Sequence, residues 1–162
     1  MKALVGIFAS NQEAVEAVKH LKDSGYPAKQ LSLISKADVI NNHIHIKSSD
    51  TAEKAELSIG VAAGAMVGIL TGVGVFAIPG LGFLFGAGAL VGAIAGIDFG
   101  IIGGGIVAAF TAMGIDEFNA KKYEKYLHDG KFLVFAQGDD KQIADAKTAL
   151  HTKGLKFELD TV

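Results

Sequence analysis

Lys2-Ala3-Leu4-Val5-Gly6-Ile7-Phe8-Ala9-Ser10-Asn11-Gln12-Glu13 is answered late in the chain by Lys131-Phe132-Leu133-Val134-Phe135-Ala136-Gln137-Gly138-Asp139-Asp140-Lys141-Gln142, and this repeat decides the fold. The match runs without a gap from Lys2–Gly25 onto Lys131–Gly154. Both copies read strand, helix, strand. In the first, Leu4–Ala9 is a short apolar run suited to a buried strand. Ser10 stands three residues before Glu13 as a capping box. Ala14, Ala17, Val18 and Leu21 recur on one helical face, Gly25 suits a left-handed helix end, and Leu31-Ser32-Leu33-Ile34 supplies the next strand. In the second, Phe132–Ala136 is the strand and Asp139 with Gln142 the capping box. Ile143, Ala146 and Leu150 form the apolar face, and Leu155–Leu159 alternates as a strand should. Two such units predict an α+β fold, a ferredoxin-like βαβ-βαβ sandwich with two helices on one face of a four-stranded antiparallel sheet.

That fold joins its two halves by a short hairpin, but here residues 37–130 intervene. The expected organisation is therefore one ferredoxin-like domain made of residues 1–36 and 131–162. Within it lie a connector at 37–56, a glycine-zipper α-helical hairpin at 57–115 and a polar helix at 116–130. Asp116 is the expected N-cap of that last helix. Phe118, Tyr123, Tyr126 and Leu127 are its larger apolar residues, and Gly130 ends it.

The hairpin expectation rests on two glycine ladders. Gly60, Gly64, Gly68 and Gly72 form one; Gly88, Gly92, Gly96, Gly100 and Gly104 form the other. Four residues turn a helix by about 400°, so each ladder would lie on one helix face as a strip without side chains. Such strips let two backbones pack closely, as in membrane helix pairs. Ile78-Pro79-Gly80-Leu81-Gly82 marks the turn between a helix over Leu57–Ala77, about 30 Å long, and a second from Phe83 to about Ala112, about 45 Å long. Between Leu57 and Gly114 the one formally charged residue is Asp98. It falls about 200° from Gly96, which points it away from the ladder toward an oligomer contact or a polar path, because a carboxylate facing acyl chains costs a few kcal/mol.

Composition excludes several classes. All 15 basic residues among Lys and Arg are lysine and the net charge is -2, so nucleic acid is not an expected partner. Cysteine is absent, which excludes disulfides and thiolate metal sites. His43 and His45 would share one face of a strand and are the nearest approach to a zinc, copper or nickel site. No further ligand stands near them, and a solvated strand with its polar residues outward is the better account. His20, His128 and His151 are scattered on expected helices. The Pro79–Gly82 turn lacks the Gly-Lys-Ser/Thr ending of a phosphate loop. No Ser-His-Asp set or paired carboxylates stand out, so neither a catalytic residue nor a cofactor is expected. The N-terminal apolar run becomes polar at Ser10, too soon for a signal peptide.

Several segments together resemble the bacterial general stress proteins that are induced by heat or low temperature and rich in glycine. They are Val5-Gly6-Ile7-Phe8-Ala9-Ser10, Lys22-Asp23-Ser24-Gly25-Tyr26-Pro27-Ala28 before Leu31-Ser32-Leu33-Ile34, the Ile78–Gly82 turn, Met113-Gly114-Ile115 with Glu117, and Tyr123-Glu124-Lys125-Tyr126-Leu127-His128-Asp129-Gly130. The resemblance covers nearly the whole chain, with Asn41–Asp50 departing from it. It implies a stress response and membrane association, and it carries no catalytic residue.

The expected function is thus a non-enzymatic stress-response protein that associates with a lipid membrane and assembles with itself through the hairpin. Lys54, Lys121 and Lys122 flank the apolar block on both sides, which favours the cytoplasmic face of the inner membrane, or the cytoplasm. Two alternatives stand beside it. One is a soluble homo-oligomer, a ring or shell, whose hairpins form a shared apolar core. The other is a small channel or carrier with Asp98 near the path.

Overall fold

A computed structural model describes residues 2–36, 73–78, 82–88, 105–112, 114–152 and 158–161. In order these form β1 (Lys2–Phe8), α1 (Asn11–Asp23), a 3-10 turn (Ala28–Gln30), β2 (Leu31–Lys36), β3 (Val73–Ile78) and β4 (Gly82–Gly88). Then follow α2 (Gly105–Ala112), α3 (Glu117–His128), β5 (Phe132–Gly138), α4 (Asp140–Thr152) and β6 (Glu158–Thr161). The fold is mixed α+β. All six strands join one sheet in the order β3-β4-β2-β5-β1-β6, with every neighbouring pair antiparallel.

The sequence repeat reappears as matching local structure. A shift of 129 residues carries the bounds of α1 onto those of α4. Ala14, Ala17 and Leu21 are buried, as are Ile143, Ala146 and Leu150. Both capping boxes form. Glu13 N donates to Ser10 Oγ at 3.2 Å, and the Ser10 hydroxyl donates in turn to the Glu13 carboxylate at 3.1 Å. At α4 the exchange is fully reciprocal: Gln142 N donates to Asp139 Oδ1 at 2.8 Å, and Asp139 N donates to Gln142 Oε1 at 3.0 Å. The last strand is described over Glu158–Thr161, and residues 155–157 of the expected Leu155–Leu159 lie outside the described residues.

β1 and β2 are not neighbours. β5 lies between them, with Leu4 and Leu31 each opposite Ala136. Neither βαβ copy therefore completes a sheet alone; each supplies the strand that fills the other's gap.

The central strands are covered on both faces, where the sequence led us to expect helices on one. Alternate residues divide cleanly. Leu4, Phe8, Leu31, Leu33, Phe132, Val134 and Ala136 meet α1 and α4. Val5, Ile7, Ile34, Leu84, Leu133 and Phe135 meet α2 and α3 through Ile106, Phe110, Ala120, Tyr123 and Leu127. This explains why β1 and β5 are nearly continuous apolar runs, since a strand buried on both sides has no polar face to alternate with. The centre of the second layer is aromatic. Phe110 lies edge-on to Tyr123 at 6.0 Å and tilted to Phe135 at 5.6 Å, and Tyr123 is edge-on to Phe135 at 6.1 Å.

The polar helix expected at 116–130 is α3, and it packs against the sheet. Asp116 caps it as expected, accepting from Asn119 N at 3.0 Å. Gly130 closes it at φ 78°, with Gly130 N donating to Leu127 O and Lys131 N to Tyr126 O. Of its apolar residues, Tyr123 and Leu127 are buried, whereas Phe118 is 80 % exposed.

The larger correction concerns 57–115. Val73–Ile78 and Gly82–Gly88 are antiparallel strands, Ile78 opposite Gly82, where the glycine ladders called for the end of one helix and the start of another. The reversal falls where Pro79 and Gly80 signalled it, but it joins strands. Val73-Gly-Val-Phe-Ala-Ile is rich in β-branched and aromatic residues, which fit a pleated surface better than a helix. β4 pairs with β2, Lys36 opposite Leu84, so part of the expected hairpin belongs to the sheet. α2 occupies the end of the expected second helix.

Candidate functional site

The nine glycines chosen as packing positions meet different fates. Gly88 ends β4 with φ +95°, and a Cβ there would lie 2.2 Å from Leu31 O and 2.9 Å from Ser32 Cα. It is glycine because the backbone turns left-handed against β2, not because a helix passes over it. Gly60, Gly64, Gly68, Gly72, Gly92, Gly96, Gly100 and Gly104 lie outside the described residues, as do Asp98, His43 and His45. His20, His128 and His151 fall on α1, α3 and α4 respectively. No group of three His, Asp or Glu side chains is gathered closely enough to hold a metal among the described residues.

A cleft of about 470 Å³ opens at one end of the sheet, lined by Lys2, Gln30, Gly138, Asp139, Asp140 and Gln142. Sequence reading picked out only the cap residues here. β5 delivers Gly138 to the cleft, and the capping box turns the chain into α4. A Cβ on Gly138 would sit 2.7 Å from Gln142 Oε1 and 2.9 Å from the Tyr26 hydroxyl. Glycine at this position therefore lets the cap and Tyr26 close over the strand. Tyr26 follows Gly25, which is left-handed at φ +90°; Tyr26 N donates back to Leu21 O at 3.0 Å. That turn aims the phenol at β5, where its hydroxyl donates to Gln137 O at 2.8 Å. Gln142 Nε2 reaches Gln30 Oε1 at 3.2 Å, linking α4 to the 3-10 turn before β2. Lys2 Nζ lies 2.5 Å from Asp140 Oδ1, with both side chains well exposed.

Electrostatics follow from these contacts. Burial raises the Tyr26 pKa above its ordinary value, and the nearby Asp139 carboxylate adds to the rise. A hydrogen bond from Lys2 and its charge hold Asp140 below the usual carboxylate range. Lys2 is paired with Asp140 and Gln30 with Gln142 across the cleft, while Asp139 caps its own helix. The arrangement latches the two βαβ units together: Tyr26 and Gln30 come from the first copy, Gln137 and Gln142 from the second.

Residues 3–76 match the model of the heat induced stress protein YflT domain. Over that stretch the chain is similar to a stress-protein domain. The match covers a little under half of the chain. No curated protein and no solved structure matches the chain. The matched stretch of the stress-protein domain holds β1, α1 and β2 and ends within β3. Its strands pair with β5 and β6, which lie beyond the match, so the domain is completed in this chain by the second copy of its own pattern. No helix among the described residues is long and apolar enough to cross a membrane.

Proposed function

We propose that this is a non-enzymatic stress-response protein that associates with membrane and assembles with copies of itself. We read its frame as a ferredoxin-like pair of βαβ units, a reading supported by the antiparallel order β2-β5-β1-β6. The observation that carries the function is a surplus of apolar sequence. The central strands β1, β2 and β5 already have both faces covered by α1, α4, α2 and α3. In the sequence, residues 57–72 and 89–104, whose one formal charge is Asp98, lie on either side of β3 and β4. Sequence so apolar requires burial in lipid or against protein. Each run is shorter than the roughly 20 residues of a spanning helix, so insertion into one leaflet fits better than crossing. The remaining rungs of the glycine ladders are the proposed packing positions, and the cytoplasmic side the proposed location.

The soluble ring or shell is the second reading. It is favoured by Val73–Ile78 and Gly82–Gly88 being strands, where a membrane-spanning hairpin needs helices. Cell fractionation with a carbonate wash, combined with native mass of the detergent-free protein, separates the two. Retention in the washed membrane supports lipid association. A soluble oligomer supports the second reading. A soluble monomer overturns both.

A further inference from the structure

α3 has two chemically distinct sides. Ala120, Tyr123 and Leu127 are buried against the sheet. At about 100° per residue, Phe118 falls about 180° from Leu127 and so points away from the core. It is 80 % exposed, the one large apolar side chain so exposed among the described residues. Lys121, Lys122 and Lys125 fall within about 60° of it. Glu117 and Glu124 lie about 100–120° round, both toward the same flank, and Asp129 closes the face as the C-cap. Lys121 Nζ meets Glu117 Oε1 at 2.6 Å with the two side chains 62 % and 69 % exposed, and Lys122 leans over the Tyr126 ring at 5.8 Å. The outer face is thus an exposed phenyl ring set among three ammonium groups. The chain is described without a break through residues 114–152, so both ends of this face are in view.

We propose that this face of α3 rests on an anionic bilayer surface, with Phe118 at headgroup depth and Lys121, Lys122 and Lys125 on lipid phosphates and carboxylates. The proposal rests on the membrane reading above and gives it a lipid class and a contact surface. An aromatic ring suits the bilayer interface, and lysines beside it add an attraction that neutral lipid does not offer. The chain's own apolar runs are a poor cover for this face. Residues 57–72 and 89–104 hold Asp98 as their one formal charge, and ammonium groups buried under uncharged chain lose hydration without gaining a partner. A second copy laid on the same face brings the same three lysines and is repelled. Residues 105–116 alone separate α3 from 89–104, the run read as entering one leaflet, so the two can meet the same bilayer.

Cosedimentation of the whole chain with vesicles of phosphatidylcholine alone, or of phosphatidylcholine with phosphatidylserine, provides the test. The wild type is expected to bind the serine-lipid vesicles about tenfold more tightly, with the difference lost at high salt. Changing Lys121, Lys122 and Lys125 together to Gln should abolish that difference, and Phe118→Ser should weaken binding several-fold. These side chains are on the outer face, and circular dichroism verifies that both variants fold. Lysine acetylation supplies a second readout: the three lysines should react in vesicle-free protein and be protected by the anionic vesicles. Equal binding to both vesicles, or a preference for serine lipid that survives the lysine changes, overturns the α3 face while membrane association stands. Binding to neither vesicle removes both. Lysines already protected in vesicle-free protein also overturn the α3 face. If that protection is independent of concentration, residues 37–56, with Asp38, Asp50, Glu53 and Glu56, are its cover; if it grows with concentration, a second copy is.

Discussion

Gly88→Ala tests whether this glycine belongs to a strand end or to a helix ladder. At φ +95° an alanine is strained by about 1–2 kcal/mol relative to glycine. Gly25 and Gly114 have similar angles, φ +90° and +88°, but a Cβ at either meets nothing within 4 Å. Gly25→Ala and Gly114→Ala therefore measure the strain alone. Gly88→Ala adds a Cβ 2.2 Å from Leu31 O, and the obstacle is backbone that cannot rotate away. β2 is held between β4 and β5, so its retreat would loosen two ladders. Overpacking of this kind adds about 1–3 kcal/mol, for a total of about 2–5 kcal/mol. With about 2–4 °C lost per kcal/mol in a chain of this size, Gly88→Ala should melt well below both controls. A helix ladder predicts the opposite order, because alanine is itself a small residue and is tolerated at such positions. Thermal and urea unfolding of the three variants is the assay. A Gly88→Ala melting point equal to or above that of Gly25→Ala refutes the strand-end account.

Tyr123→Ala should cost about 3–5 kcal/mol in urea unfolding, since it empties the aromatic centre between α3 and the sheet; a loss below 1 kcal/mol would mean that α3 is not a core layer. Asp139→Ala and Gln142→Ala should each cost about 1 kcal/mol, and the double variant should lose less than their sum because they share one capping box; strict additivity would argue against the reciprocal pair. The raised Tyr26 pKa gives an alkaline signature: above the ordinary tyrosine value of 10.0 the unfolded chain releases a proton that the folded chain retains, so stability is intact below that pH and falls as pH rises through the folded value. Tyr26→Phe should weaken the protein at pH 7 by losing the bond to Gln137 O, yet flatten this decline, as urea titrations at pH 8 to 11 would reveal.

The repeated pattern, the helix caps and the two βαβ units were legible in the sequence because they are local. Ser10 with Glu13, Asp139 with Gln142, and the glycines that end helices act on their own neighbours, and apolar spacing names the buried face before any partner is known. The cleft was only half legible, since Asp139 and Gln142 announce a cap, but nothing in the sequence says that Tyr26 and Gln30 close over Gly138. Tertiary structure alone decided three matters. It placed β5 between β1 and β2, it laid α3 on the far face of the sheet, and it drew Val73–Gly88 out of an apparent helix pair into strands. Glycine spaced by four is ambiguous by itself: in a helix it makes a smooth strip, while in a strand it permits a close or left-handed backbone approach. Which meaning holds depends on whether a neighbouring strand offers a hydrogen-bonding edge, and for Gly88 that edge is β2, more than fifty residues earlier in the chain.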